Sequence, residues 1–294
     1  MTAPARREPQ GALVIVATPI GNLADLSPRA TEALATAGVI CCEDTRHTGR
    51  LLEHAGVRAH RLLALHAHNE VEQVGTVLDL IAAGTQVVLV SDAGTPVISD
   101  PGGRLVAAVV EAGFDVTVVP GPSAVLAALA VSGLDVSRFR FEGFLPRKGT
   151  ERRGRLAEIA AAPCPSVVYE APNRVAKTLA DLRDACGAER HVVVARELTK
   201  LHEEVWRGRA DEACERAAGT EPRGEHVLVV DAASARSQPT SAEAAEAIRR
   251  LVTAGIGLRD ATTAAEELLG VAHRVAYEAA LGLRGAAGAG PPGG

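Results

Sequence analysis

The stretch VVLVSDAGTPVISDPGG, residues 87–103, decides the fold class of this chain. Val87–Val90 is an apolar run of strand length, and such continuous runs are typical of strands buried on both faces of a parallel sheet. The twelve residues 92–103 then contain two Asp, two Pro and three Gly. Open α/β sheets bind their ligands in loops at the carboxyl ends of the strands. The stretch therefore predicts a buried strand followed by a binding loop.

Apolar runs of strand length alternate with predicted helices on both sides of this stretch. Further apolar runs of strand length stand at Leu13–Ala17, Val39–Cys42, Leu62–Leu65 and Val116–Val119. Capping patterns predict three helix starts between them, at Ser27 before Pro28, at Asn69 with Glu72 three residues later, and at Asp100 before Pro101. The other interpretation of Asp100 is a carboxylate of the site. Alternating strands and helices indicate a parallel sheet covered on both faces.

A second α/β set follows the first. Its strand candidates are 139–144, 167–169, 191–195, 205–208 and 227–230, with helices near 150–161 and 172–186. We expect an N-terminal α/β domain over residues 11–133, a C-terminal α/β domain over 138–235 and a helical appendage over 240–284. The appendage begins with a capping-box pair, Thr240 and Glu243. Residues 1–10 and the low-complexity segment 285–294 are expected to be disordered.

Composition excludes several classes of protein. No apolar run approaches the roughly 20 residues of a membrane span, and MTAPARREPQ lacks the apolar core of a signal peptide. Five Cys without paired spacing favour a reducing compartment. We therefore expect a cytoplasmic protein without a membrane partner. The net charge is −5, so a nucleic-acid partner would have to meet a local basic patch.

A metal site is not expected. His66 and His68 alternate on what reads as a strand, so their side chains would share a face. No nearby Cys or His completes a tetrahedral set around them.

Three Gly- and Pro-rich loops follow strands of the first set. They are TPIGN (18–22), SDAGTPVISDPG (91–102) and PGPSA (120–124). Glycine lets a backbone approach a ligand closely, and proline restricts a loop before binding. No GxxxxGK[ST] loop is present and no GxGxxG turn follows a predicted strand, which argues against a nucleoside triphosphate or a conventional dinucleotide. The three loops together favour a different small-molecule site.

Several motifs occur in an order that resembles one family. They are ATPIGNLADLSPRA, CEDTRHTGRLL, LHAHNE, VSDAGTPVISDPG, PGPSAVLAALAVSGL, FEGFLPRK, YEAPNRV and VARELTKLHEE. The chain resembles the ribosomal RNA small subunit methyltransferase I family, a branch of the tetrapyrrole-methylase-like (class III) methyltransferases. The resemblance implies two α/β domains, a small C-terminal helical appendage and a homodimer. It also implies that S-adenosylmethionine is the methyl donor. The acceptor would be a cytidine ribose 2′-hydroxyl in 16S rRNA of the small ribosomal subunit, near the decoding centre.

The resemblance also implies which residues hold the cofactor. From the first domain these are Pro19, Gly21, Asp92, Ala93, Gly94, Thr95, Pro96, Pro120, Gly121, Pro122, Ser123 and Ala124. From the second domain Tyr169, Glu170, Glu197 and Leu198 would face the same pocket.

Methyl transfer to a hydroxyl needs alignment of the reacting atoms and a group that takes the proton. The candidates are Glu43, Asp44, Asp92, Asp100 and Glu197. Asp44 and Glu43 are favoured, and the residues alone do not choose between them. An alternative for Glu43 is a salt bridge with Arg46 or Arg50.

Two basic stretches are candidates for RNA contact. Arg46 and His47 stand at a helix start, and Arg147 and Lys148 are followed by Arg152, Arg153 and Arg155. Both stretches are equally well explained as solvated helix faces.

Other activities remain open within this fold and outside it. A tetrapyrrole C-methyltransferase or a diphthine-type protein methyltransferase would need no basic surface. A non-catalytic rRNA-binding assembly factor would need no S-adenosylmethionine.

Overall fold

The computed structural model describes residues 11–219, 223–233, 241–269 and 273–288. The chain divides into two compact units, Met1–Ala232 and Ala233–Gly294. The predicted tail 1–10, residues 289–294 of the other predicted tail, and Thr240 lie outside the described residues.

The first sheet is parallel throughout, as the apolar runs predict. Its strands are β1 (Ala12–Val16), β2 (Val39–Cys42), β3 (Leu62–Ala64), β4 (Val87–Leu89) and β5 (Asp115–Val119), in the order β3-β2-β4-β1-β5. The accompanying helices are α1 (Pro28–Thr36), α2 (Thr45–His54), α3 (Glu70–Ala82), α4 (Gly103–Glu111) and α5 (Ala124–Ala130).

Alternate residues of β1 define the two faces of this sheet. Val14 and Val16 pack with Leu34 of α1 and Leu52 of α2. Leu13 packs on the other face, with residues of α3 and α4. Both faces are therefore covered, which leaves the carboxyl edge of the sheet for a ligand.

The second sheet is mixed. Its strands are β6 (Arg140–Phe144), β7 (Ser166–Glu170), β8 (His191–Arg196), β9 (Glu204–Arg209) and β10 (His226–Val230), in the order β6-β7-β10-β8-β9. Only the β6–β7 pair is parallel. The helices α6 (Gly149–Ala161), α7 (Val175–Cys186) and α8 (Ala210–Ala218) pack on one face.

The other face of the second sheet packs against the first half of the chain. Val125, Ala128 and Leu129 of α5, together with Ile20, form one buried cluster with strand residues of this sheet. Each sheet lies within one of the two domains predicted over 11–133 and 138–235, but this cluster joins both sheets into the unit Met1–Ala232. The division into two domains stays a prediction.

Of the three predicted caps, Ser27 is confirmed, and Asn69 stands at the N-cap position of α3 without capping it through its side chain. The Ser27 Oγ accepts the N–H of Ala30, and Pro28 is the first residue of α1. The Asn69 Oδ1 instead accepts the N–H of His66, so this side chain closes the turn after β3 and does not cap α3.

The predicted cap at Asp100 is wrong, because α4 is capped from another helix. The helix begins at Gly103, and Gly102 before it has φ +116°. The buried Glu70 carboxylate at the start of α3 accepts the N–H groups of Gly102, Arg104 and Leu105 at 3.1, 2.8 and 3.2 Å. A negative charge at a helix N-terminus is stabilising, and Asp100 is left for another role.

The C-terminal unit contains α9 (Ser241–Thr253), α10 (Leu258–Leu269) and α11 (His273–Gly288). Its core is built mainly from alanines: Ala244, Ala261, Ala265, Ala276 and Ala279, with Ile248. Small side chains let helices pack closely. The last helix extends past residue 284 to Gly288, four residues into the segment predicted as a disordered tail.

None of the helices in the described residues has the length and apolar character of a membrane span.

Candidate functional site

A cavity of about 340 Å³ lies among the loops at the carboxyl edge of the first sheet and one wall of the second. This volume lies within the roughly 300–1,000 Å³ of typical small-molecule sites. The first half of the chain contributes Ile20, Ala93, Gly94, Thr95, Ile98, Ser99, Asp100, Ser123 and Ala124. The second half contributes Phe144, Tyr169, Glu170, Ala171, Pro172, Ala195, Leu198, Glu225, His226 and Val227.

Hydrogen bonds join the three Gly- and Pro-rich loops. Thr18 and Gly94 exchange backbone N–H···O bonds of 2.8 and 3.1 Å, and the Thr18 hydroxyl donates to the Ser91 carbonyl. The Thr95 hydroxyl donates to the Pro122 carbonyl at 3.3 Å. These contacts hold the loops in one shape before any ligand binds.

Gly94 is suited to this arrangement, because the backbone conformation and the nearby Ile20 side chain both disfavour a Cβ atom at this position. Its φ is +80°, and a Cβ there would lie 3.3 Å from the Ile20 Cγ2 atom. Gly21 serves a different purpose, since a Cβ there would lie 2.4 Å from the Lys200 Cγ atom. Gly21 therefore allows the loop after β8 to pack onto the loop after β1.

The predicted cofactor residues divide into two groups. Those that line the cavity are Ala93, Gly94, Thr95, Ser123, Ala124, Tyr169, Glu170 and Leu198. Those that do not are Pro19, Gly21, Asp92, Pro96, Pro120, Gly121 and Pro122, which belong to the loops that carry the lining residues. Sequence reasoning missed Ile98, Ser99, Phe144 and His226 as lining residues, and it left Asp100 open between a helix cap and a carboxylate of the site.

Asp100 lines the cavity, whereas Glu43, Asp44 and Asp92 are not among its lining residues. Burial raises the pKa of Asp100 to about 6. A hydrogen bond from Ser91 lowers this pKa, whereas the negative charges of Glu43 and Asp92 raise it further. Burial and the charge of Asp92 also raise the pKa of Glu43. Groups with raised pKa values are suited to accept a proton near neutral pH.

Asp44 is the N-cap of α2. Its Oδ1 accepts the N–H of Arg46 at 2.8 Å and of His47 at 3.4 Å, and its Oδ2 pairs with the Arg46 guanidinium at 2.9 Å. The hydrogen bonds from Arg46 hold the pKa of this carboxyl well below its usual range. Among the described ion pairs, the guanidinium of Arg46 bonds to Asp44 and not to Glu43.

Glu197 stabilises the loop after β8. Its φ is +51°, and its Oε1 accepts a hydrogen bond from the Lys200 Nζ at 2.8 Å and from the Glu225 N–H at 2.9 Å. The hydrogen bond from Lys200 lowers the pKa of Glu197, and the bond from Glu225 adds to it. Glu197 is not among the lining residues of the cavity.

Glu170 and its partners form a buried network beside the cavity. The Glu170 Oε2 accepts the Thr178 hydroxyl at 2.6 Å, and its Oε1 pairs with the Arg174 guanidinium at 3.1 Å. Arg152 donates to the Thr178 oxygen at 2.9 Å and pairs with Asp181 at 2.7 Å. The network fixes one wall of the cavity.

The second basic stretch is therefore only partly available to a ligand. Arg152 is buried in the network, and Arg155 pairs with the buried Glu142 at 2.6 Å. Arg147 and Lys148 are exposed.

The two histidines lie in the turn after β3 and not on the strand, which ends at Ala64. Their ring centroids are 6.0 Å apart. The described residues contain no group of three or more His, Cys, Asp or Glu side chains placed to hold a metal ion.

Comparison with known proteins identifies the family. The family model of the tetrapyrrole (corrin/porphyrin) methylases matches residues 12–214. A ribosomal RNA small subunit methyltransferase I from Xylella fastidiosa (strain Temecula1) is 52% identical over 76% of this chain and 82% of the relative. One from Escherichia coli O157:H7 is 43% identical over 94% of this chain and 96% of the relative.

Solved structures share the fold at lower identity. Uroporphyrin-III C-methyltransferase from Thermus thermophilus complexed with S-adenosyl homocysteine aligns with a TM-score of 0.54 and 21% identity, over 75% of this chain and 97% of that one. Diphthine synthase aligns with a TM-score of 0.57 and 18% identity, over 75% of this chain and 90% of that one.

These likenesses confirm the predicted fold class. The family model spans more than half of the chain, and the sequence relatives align over most of it. The chain belongs to the ribosomal RNA small subunit methyltransferase I family of the tetrapyrrole methylases.

Proposed function

We propose that this chain transfers the methyl group of S-adenosylmethionine to the ribose 2′-hydroxyl of a cytidine in 16S rRNA, near the decoding centre of the small ribosomal subunit. The observation that carries the proposal is the cavity, which is lined by the SDAGTPVISDPG loop on one side and by the second sheet on the other. Relatives with 42–52% identity carry the name of an rRNA methyltransferase.

The cavity is suited to S-adenosylmethionine. Gly94 leaves room that a Cβ would fill, the neighbouring loop backbone offers polar groups, and Asp100 offers a carboxylate. When bound, the cofactor supplies a methyl group on a positively charged sulfur, so no metal is required. Ala93, Thr95, Ala124, Tyr169 and Leu198 would enclose it.

Glu43 is our choice for the group that accepts the hydroxyl proton. The oxygen of the acceptor forms a bond to the methyl carbon, and its proton passes to a base. The raised pKa of Glu43 suits this task, whereas Asp44 and Glu197 are engaged by hydrogen bonds that lower their pKa values. Asp44 and Glu197 would then shape the site.

Exposed cations near the cavity would bind the phosphates of the RNA. The candidates are Arg46 and His47 at the start of α2, and Arg147 and Lys148 after β6. We also propose a homodimer that works in the cytoplasm, on the basis of the family resemblance.

Methyl transfer from labelled S-adenosylmethionine to small subunits with unmodified 16S rRNA tests the proposal. The product nucleotide is identified after digestion of the rRNA. We expect one labelled 2′-O-methylcytidine. Binding of the cofactor without transfer to rRNA would favour a tetrapyrrole or protein acceptor, and failure to bind the cofactor would favour an assembly factor.

A further inference from the structure

Aromatic side chains are scarce in this chain, and three of them meet beside the cavity. Among 294 residues there are four Phe, two Tyr and one Trp. The Tyr169 ring centroid lies 5.1 Å from that of Phe141 and 5.6 Å from that of Phe144. Phe144 lines the cavity and yet remains 54% exposed. A ring that is supported by a second ring and remains open to solvent can receive a planar ligand.

The backbone that follows Phe144 is held in place from two sides. The Leu145 carbonyl accepts a hydrogen bond from Arg174 at 2.6 Å, and the Pro146 carbonyl accepts one from Arg152 at 2.8 Å. Arg152 is itself buried and paired with Asp181. Little ordering is then needed on binding, which lowers the entropic cost of a contact with the Phe144 ring.

Two exposed cations follow Phe144 closely along the chain. Arg147 and Lys148 follow Phe144 by three and four residues, so their Cα atoms lie within roughly 11–14 Å of its Cα. Neither forms a salt bridge with any residue that the structure describes. Stacking of a base on an aromatic ring beside cations that meet the phosphates is how proteins bind single-stranded RNA.

The opposite rim of the cavity is also apolar. Ile98 is 46% exposed there, and the neighbouring Ser99 approaches β6 so closely that a Cβ on Gly143 would lie 3.2 Å from the Ser99 Oγ. A flat group that entered over Phe144 would therefore meet an apolar side chain from the first half of the chain.

We infer that Phe144 is the stacking platform for a nucleobase of the acceptor RNA, with Arg147 and Lys148 on the adjoining phosphates. The inference rests on the proposed function and adds to it the residue that grips the acceptor strand. It separates two tasks within one cavity, since the loops after β1, β4 and β5 would hold the cofactor and the end of β6 would hold the base.

Substitution of Phe144 tests the inference. The variants are Phe144→Ala, Phe144→Trp and the matched control Phe139→Ala, because Phe139 is 40% exposed just before β6 and does not line the cavity. The measurements are KM for unmodified small subunits, single-turnover rate, S-adenosylmethionine affinity by calorimetry, and melting temperature.

We expect Phe144→Ala to raise the KM for small subunits about 5- to 100-fold, as loss of one base–aromatic stack does. The cofactor affinity and melting temperature should stay within error of wild type. Phe144→Trp should retain a low KM, because indole stacks on bases at least as well as a phenyl ring. Phe139→Ala should behave as wild type.

Two outcomes would overturn this inference and leave the proposed function unaffected. One is a Phe144→Ala variant with normal KM for small subunits, and the other is a loss of cofactor affinity with unchanged KM, which would assign the ring to the adenine of the cofactor. A wild-type enzyme that transfers no methyl group to small subunits would instead refute the proposed function, and this inference with it.

Discussion

Gly94 lines the cavity proposed to hold the cofactor, at a position that disfavours any side chain. Its φ of +80° strains any other residue, and a Cβ would press on Ile20. We expect Gly94→Val to weaken S-adenosylmethionine binding at least about tenfold, or about 1.4 kcal/mol. Calorimetry gives the affinity.

Gly113 provides the matched control for Gly94. Its φ is +79°, and a Cβ there would meet nothing within 4 Å. Gly113→Val carries the same backbone strain away from the cavity, so it should lower the melting temperature and leave cofactor affinity unchanged. Equal affinities in both valine variants would remove Gly94 from the site.

Glu43 and Asp44 are adjacent carboxylates whose pKa values are shifted in opposite directions, upward for Glu43 and downward for Asp44. Glu43→Gln should slow single-turnover methyl transfer by about 10²- to 10⁴-fold, the usual contribution of a general base, with both binding affinities retained. Asp44→Ala removes the cap of α2 and frees Arg46, so it should lower the melting temperature. A normal single-turnover rate in Glu43→Gln would remove Glu43 as the base and leave Asp44 as the next candidate.

Asp100 should make stability depend on pH in a defined window. Its folded pKa of about 6 exceeds the unfolded value of 3.8, so the folded chain binds more protons between those values. Stability contributed by protonated Asp100 is therefore complete below about pH 4 and is lost as the pH rises through about 6. We expect Asp100→Asn to raise the melting temperature of the ligand-free protein at pH 7.5 and to match wild type near pH 4. The opposite trend would mean that Asp100 is stabilised as an anion.

At the scale of elements, the capping of α4 by Glu70 links α3 to the cofactor loop. Removal of this carboxylate leaves the N–H groups of Gly102, Arg104 and Leu105 without their acceptor. We expect Glu70→Ala to cost about 1–3 kcal/mol of unfolding free energy and to weaken cofactor binding. Glu70→Gln keeps an acceptor oxygen and should lose less.

Glu72 is the control for this prediction, because it is exposed on the same helix. Glu72→Ala should change neither unfolding free energy nor cofactor affinity. A Glu70→Ala variant as stable as Glu72→Ala would show that Glu70 is not needed as a cap.

The elements differ in how far the sequence predicts them. All ten strands begin and end within one residue of the predicted ones. The uninterrupted apolar runs at β2, β4 and β10 mark strands that are buried throughout. At Asn69 the local pattern finds the helix start but not the bond of its side chain, which closes the turn after β3. At Asp100 the pattern failed, because the acceptor that caps α4 comes from Glu70, 32 residues before Gly102. Capping rules read only the residues next to a helix start.

The site was predictable only in part for the same reason. The glycine and proline loops are local and identify Gly94 and Thr95 correctly as lining residues. The interior position of Arg152 and the exposure of Phe144 depend on how α6, α7 and β6 pack, which no short motif records.

At the scale of the whole molecule, the two compact units should divide the work. Every residue that lines the cavity lies in Met1–Ala232, and the C-terminal helices have a core of their own around Ile248. The cofactor site should therefore not need the C-terminal unit. We predict that a chain ended after Ala232 binds S-adenosylmethionine within about twofold of the full-length affinity, a difference of about 0.4 kcal/mol.

A point variant tests the same prediction in the full chain. Ile248 is fully buried among the alanines of the C-terminal unit, so Ile248→Asp places a charge in that core and should unfold this unit alone. Calorimetry should then show unchanged cofactor affinity, while hydrogen exchange shows loss of protection only beyond residue 240. If Ile248→Asp and the shortened chain both lose cofactor binding, the site depends on the C-terminal helices and the two units are not independent. If both bind the cofactor but fail to methylate small subunits, the C-terminal unit contributes to recognition of the RNA.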